Sequence, residues 1–148
     1  MIHARFTGST AILSLILLLP SCSENLAPDS ALLQGSWRGV RFTINDQVQR
    51  EEWATGTILG FSPPGMETDS YYRNYETGTW MLQKDQLTFT PPLNFGIPSY
   101  QYTILELTDN RLVLQRINVK VDDLSWRVDE FPSGTVVTMT EEYQRIEN

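Results

Sequence analysis

Histidine and cysteine are nearly missing from this chain: its 148 residues include one of each, His3 and Cys22. Everything after Cys22 therefore lacks both imidazole and thiol, which excludes Ser-His-Asp and Cys-His nucleophilic machinery and the usual zinc ligands. One cysteine cannot form an intrachain disulfide, so a folded core has to supply the stability. Basic residues are scarce as well, 11 against 18 acidic ones, for a net charge of −7. No basic cluster relieves that sign, so neither nucleic acid nor an anionic lipid surface is an expected partner of the protein surface itself. Long apolar runs are also wanting. The stretch Ala11–Leu19 holds about nine residues against the roughly 20 that a transmembrane helix needs.

What is present at the N-terminus reads as an address. Arg5, the apolar stretch and Leu19-Pro20-Ser21-Cys22 supply the basic start, apolar middle and boundary of a secretory signal. The lone cysteine at that boundary makes the segment resemble a bacterial lipoprotein signal, with Leu19 to Cys22 as the lipobox. The resemblance implies a signal peptide over 1–21 and a Cys22 that carries lipid, palmitate included. It implies a protein held in the cell envelope by that lipid, outside the cytoplasm and at the outer rather than the inner membrane. Residues 22–31 then form the lipidated cysteine and a flexible polar tether, and 32–148 form one domain. Losing the signal removes one of the 11 basic residues and none of the 18 acidic ones, so the domain is more acidic than the whole chain.

From Trp37 onward β-branched and aromatic residues run in short stretches punctuated by Gly, Pro, Asp and Asn, which is the pattern of strands and turns. Strands are expected near 36–44, 55–62, 69–76, 77–83, 86–91, 100–108, 111–121 and 135–146. A turn of helix over Ala31-Leu32-Leu33, capped by Asp29 or Ser30, is expected before them. Lys84-Asp85 and Thr108-Asp109-Asn110 read as hairpin turns, because Asp and Asn tolerate left-handed backbone angles. Ile117–Asp122 alternates, one face inward and one in water. Ser62–Met66 and Pro91–Pro98 are too rich in proline for central strands, and the second carries Leu93, Phe95 and Ile97. The pattern as a whole is that of an antiparallel barrel or sandwich.

Leu33-Gln34-Gly35-Ser36-Trp37 resembles the Leu-x-Gly-x-Trp opening of bacterial lipocalin-like domains. The similarity continues in Gly78-Thr79-Trp80, in Asp85–Phe89, in Tyr102–Leu114 and in the closing Glu142-Tyr143-Gln144-Arg145. It implies an all-β fold, a single up-and-down antiparallel barrel of about eight strands. It also implies a barrel closed at one end by Trp37, with Arg145 lying across the indole and Gly35 turning the chain into the first strand.

Candidate ligand contacts are aromatic. Tyr71, Tyr72, Tyr75 and Phe95 are placed at a cavity mouth and Tyr100 and Tyr102 on its wall, with Arg73 or Arg116 orienting a polar end; ordinary core and edge packing accounts for the same residues. Carboxylate pairs at Glu51-Glu52, Asp122-Asp123, Asp129-Glu130 and Glu141-Glu142 are expected to be solvated, because neighbours on a strand point to opposite faces. No metal site, cofactor or catalytic group is expected. Ser133-Gly134 reads as a turn and not a hydrolase elbow. Two partners besides the membrane fit these expectations: a small apolar ligand inside the barrel, or an envelope protein docked on the Leu93–Ile97 loop of a solid barrel.

Overall fold

The structure, a computed structural model, describes residues 28–62, 70–124 and 131–147. The signal segment 1–21, Cys22 and the start of the tether lie outside the described residues. A four-residue helix α1 (Ser30–Leu33) comes first, its N-terminus capped by the Asp29 carboxylate accepting from the Ala31 amide at 2.9 Å. The strands follow as β1 (Gly35–Ile44), β2 (Gln47–Val48), β3 (Ile58–Phe61), β4 (Ser70–Arg73), β5 (Glu76–Gln83), β6 (Gln86–Thr90), β7 (Tyr100–Leu107), β8 (Arg111–Lys120) and β9 (Val136–Arg145), with a second short helix α2 (Glu51–Thr55) between β2 and β3.

Pairing runs antiparallel from β1 to β3 and then strand by strand to β9, and β9 returns to pair with β1 from Trp37↔Arg145 to Ile44↔Met139. The result is a closed eight-stranded antiparallel barrel, with β2 as a short flap on the far end of β1. Among the described residues, closure leaves no long free edge for another chain to pair with. Alternation sorts the side chains: Val137, Met139, Glu141 and Tyr143 of β9 are buried inside, and Glu142 and Gln144 face outward.

The inside is filled in two layers. Around the α1 end, Leu33, Trp37, Leu59, Phe61, Trp80, Leu87, Phe89, Leu112 and Leu114 pack together with the tyrosines described below. Around the β1–β2 turn, Phe42, Ile44, Val119, Val137 and Met139 form a second cluster, and α2 lies over it through Ala54 and Trp53. The approach of α2 to β1 needs Gly39, where a Cβ would come within 2.2 Å of the Ala54 carbonyl oxygen.

Three local differences from the sequence expectation have physical causes. The strand expected from 55 begins at Ile58, because Glu51–Thr55 coil into α2. The boundary expected at 76/77 moves to the Asn74-Tyr75 turn, where Asn74 takes φ 53° and its side-chain oxygen accepts from the Ile58 amide. Residues 30 and 31, counted with the tether in the sequence reading, lie in α1, which Asp29 caps. The β5–β6 hairpin turns at Lys84-Asp85 as expected, but the left-handed angle falls on Lys84, at φ 57°, and not on Asp85. Of the proline-rich loops, 63–66 lies outside the described residues, and 91–99 is strand-free, with a 3-10 turn over Leu93–Phe95 ended by left-handed Gly96.

Candidate functional site

The middle of the barrel carries a polar layer between its two apolar ones. Arg73 of β4 reaches inward and donates from Nη2 to both Glu141 carboxylate oxygens at 2.7 Å, and from Nη1 to the Tyr102 hydroxyl oxygen at 2.7 Å. Tyr102 in turn donates to Glu141 Oε1 at 2.8 Å, and Tyr143 donates to Oε2. Every strong acceptor of the carboxylate is therefore used, which is the condition for burying an ion pair without a large penalty. Burial alone would favour a neutral Glu141, but Arg73 and the hydroxyl donors outweigh it and hold the carboxyl below its ordinary value. For Arg73, too, burial works against the charge, and the facing Glu141 overcomes it. Tyr102, desolvated but opposed by the nearby Arg73, is pushed up to about 12.

Beside that layer, Glu76 of β5 accepts from the Tyr71 hydroxyl at 2.5 Å and from the Tyr100 hydroxyl. Burial first, and then the Glu76 hydrogen bond, raise Tyr71 well above an ordinary phenol, and burial does the same for Tyr100. The Arg116 guanidinium stacks 4.9 Å from the Tyr100 ring and 5.5 Å from that of Tyr102, with no acidic partner among the described residues. Among the described residues, the Trp80 indole nitrogen is a side-chain donor buried without a hydrogen-bond partner.

At the α1 end, the Arg145 guanidinium lies 4.1 Å above the centre of the Trp37 ring. Arg145 also donates to the carbonyl oxygens of Leu32, Gln34 and Asp109, and the Trp37 indole donates to the Leu33 carbonyl at 2.8 Å. Gly35 enters β1 at φ 105°, which a side chain would resist.

The six aromatic candidates do not converge. Tyr71, Tyr100 and Tyr102 turn inward, and all three edge against Phe89 or one another at 4.6–6.0 Å. Tyr72, one residue along β4, faces out, with its hydroxyl 2.8 Å from Ser36 Oγ. Tyr75 stands on the β4–β5 turn, 98% exposed, and Phe95 is half-exposed on its 3-10 turn beside a fully exposed Leu93. The pair Glu141-Glu142 departs from the expectation of two solvated carboxylates: Glu142 is outside, bridging Arg41 and Arg111, whereas Glu141 is the buried anion of the core. Its phase with Val137, Met139 and Tyr143 was the available signal. Glu76 carried no such signal, because its role depends on where Tyr100 lies across the barrel. No group of three or more metal-ligating side chains assembles among the described residues.

The closed eight-stranded meander, plugged at one end by a tryptophan under an arginine, defines the class of small antiparallel β-barrels. The model of the lipocalin-like domain family matches residues 33–114, more than half of the chain, and the chain belongs to that family. Among solved structures, it is similar to an uncharacterized protein from Bacteroides eggerthii DSM 20697, at 15% identity and a TM-score of 0.40, over 77% of this chain and 99% of that one. No curated protein matches the sequence closely enough to count as a relative.

Proposed function

We propose that the chain is a lipid-anchored protein of the bacterial cell envelope whose barrel is a solid support and whose work is done by surface contact with an envelope protein. The observation that carries this is the filled interior: two apolar clusters and the Arg73–Glu141 layer occupy the space where a lipocalin-like barrel would otherwise hold an apolar guest. The anchor rests on the Leu19–Cys22 boundary. The contact is assigned to the 93–97 loop, where Leu93 is 99% and Phe95 51% exposed while the Gly96 turn fixes the backbone that presents them. Apolar side chains held out in this way cost solubility unless a partner covers them. No reacting group is invoked.

Native mass spectrometry of the full chain, produced in a bacterial envelope, tests the solid-barrel part. A mass accounted for by polypeptide and anchor alone is the expected result, and a second, extractable lipid or small apolar molecule would overturn it. For the contact, a photo-crosslinker at Leu93 should capture one envelope protein reproducibly, and Phe95→Asp should abolish that capture without lowering the melting temperature. Capture that survives Phe95→Asp would remove the loop from the interface.

A second reading is favoured by two features of the core, the unpaired Trp80 indole and the acid-free Arg116. A small guest with an acceptor for the first and an anionic end for the second would sit among Tyr71, Tyr100 and Tyr102. The same mass spectrum decides between the two.

A further inference from the structure

The two ends of the barrel differ. Arg145 reaches the carbonyl oxygens of Leu32, Gln34 and Asp109 together, so α1 and the β7–β8 turn share one end. Neighbouring strands run antiparallel, so the opposite end gathers the β1–β2 turn with α2, the Asn74-Tyr75 turn, the 91–99 loop and the 3-10 turn Val121–Asp123 after β8. Glu76, just after the 74–75 turn, accepts from the hydroxyl of Tyr100, just after the 91–99 loop, and so ties these two connections together from inside.

The apolar side chains of that end are held out by fixed backbone. Tyr75 and Leu93 are almost fully exposed, and Phe95 is half-exposed beside Leu93. Asn74 sits at φ 53° with its side-chain oxygen on the Ile58 amide, and the Gly96 amide donates to the Leu93 carbonyl at 3.3 Å. Aromatic and large apolar groups presented in this way are what the core of an interface uses. The exposed charges around them are mostly acidic: Asp46, Glu51, Glu52, Asp122 and Asp123, against Arg50 and Lys120 among the described residues. None of the five acids joins an ion pair among the described residues. Arg116 and Glu76 stay out of this balance, the first stacked on the inward Tyr100 and Tyr102 rings and the second turned to the tyrosine hydroxyls.

We infer that the end opposite α1 docks a basic protein on the side away from the anchoring membrane, with Tyr75, Leu93 and Phe95 entering an apolar pocket that Lys or Arg side chains border. The inference rests on the anchored, loop-docking function proposed above, and adds to it the extent of the surface, its direction and the charge of the partner. Direction follows from chain length. Residues 23–29, between Cys22 and α1, span at most about 25 Å, and the strand wall stands roughly 25 Å tall before its loops are added. Only a taut tether would bring Tyr75 and Leu93 to the leaflet that holds the lipid, and the rim acids would then face anionic headgroups. Size agrees as well, since a standard interface covers about 800 Å² on each partner, the scale of one end of a small barrel.

The test places photo-crosslinkers in the full chain at Leu93, at Tyr75 and, for comparison on the outward side of β5, at Thr79, in isolated bacterial envelopes. The same protein is expected at Leu93 and Tyr75 and not at Thr79, through a peptide that carries Lys or Arg beside apolar residues. Glu51→Lys combined with Asp123→Lys should lower that capture about tenfold, the scale of electrostatic steering, without moving the melting temperature. Raised salt should lower capture by the parent chain in the same direction. Capture at Leu93 that Tyr75 does not share, or that neither charge reversal nor salt reduces, would overturn this inference and leave the loop contact standing. Absence of capture at both positions would remove the two together. A phospholipid adduct at Leu93 and Tyr75 would put a membrane in place of the protein and overturn the proposal.

Discussion

Glu141 accepts from three side chains that arrive from three different strands, Arg73, Tyr102 and Tyr143. Removing one partner strands the others in a dry interior. Arg73→Met is therefore expected to cost about 3–5 kcal/mol, read by chemical denaturation, and the double variant Arg73→Met/Glu141→Leu to recover part of that loss. The pH dependence follows from the same group. Its folded value lies below the ordinary 4.5, so the ionised carboxylate stabilises the fold above that pH, and the contribution drains away as pH falls through the lower folded value. Acid unfolding should begin below pH 4.5, and Glu141→Gln should flatten that limb of the curve. The buried tyrosines act at the other extreme. Tyr71, Tyr100, Tyr102 and Tyr143 are all raised, first by burial, so their stabilisation is whole below pH 10 and is lost as pH climbs through the folded values. Tyrosinate absorbance should show these four ionising together with the loss of near-UV dichroism. Independent ionisation of the four in a folded barrel would contradict their placement.

Among the elements, the join between α2 and β1 is tight against backbone. Gly39→Ala would place a methyl 2.2 Å from the Ala54 carbonyl, and overpacking of this kind costs about 1–3 kcal/mol. A thermal melt of Gly39→Ala checks it, and an unchanged midpoint would mean that α2 lifts away freely. The strands were legible in the sequence because alternation and turn residues are local signals. Val137, Met139 and Tyr143 mark an inner face by themselves, and Lys84-Asp85 marks a turn. Helix α2 was not legible: five residues, opening after Arg50 with no side-chain cap, are too few to show a helical period. The polar layer was legible only in part. Arg73 stood out as a cation inside a strand, but its partner lies 68 positions away, and only barrel closure shows that the two meet. The Trp37–Arg145 plug came from family resemblance, since nothing in local spacing links residues at opposite ends of the chain.

For the molecule as a whole, the proposed function makes the 93–97 loop a passenger on the barrel. Charging that loop with Leu93→Glu should leave unfolding free energy within about 0.5 kcal/mol of the parent, as for exposed positions generally. A larger loss would show that the loop belongs to the fold and not to a partner. The barrel also has one seam that differs from every other strand junction. Each of the others joins strands that follow one another around the meander, whereas β1 and β9 meet across the whole domain, with Trp37 opposite Arg145. The clasp of Arg145 on the Leu32 and Gln34 carbonyls lies on that same seam. During synthesis, β1 therefore waits with an unpaired edge until the last strand has been made. The order of the strands therefore puts closure last: the barrel locks only when its C-terminal strand is free to pair with β1.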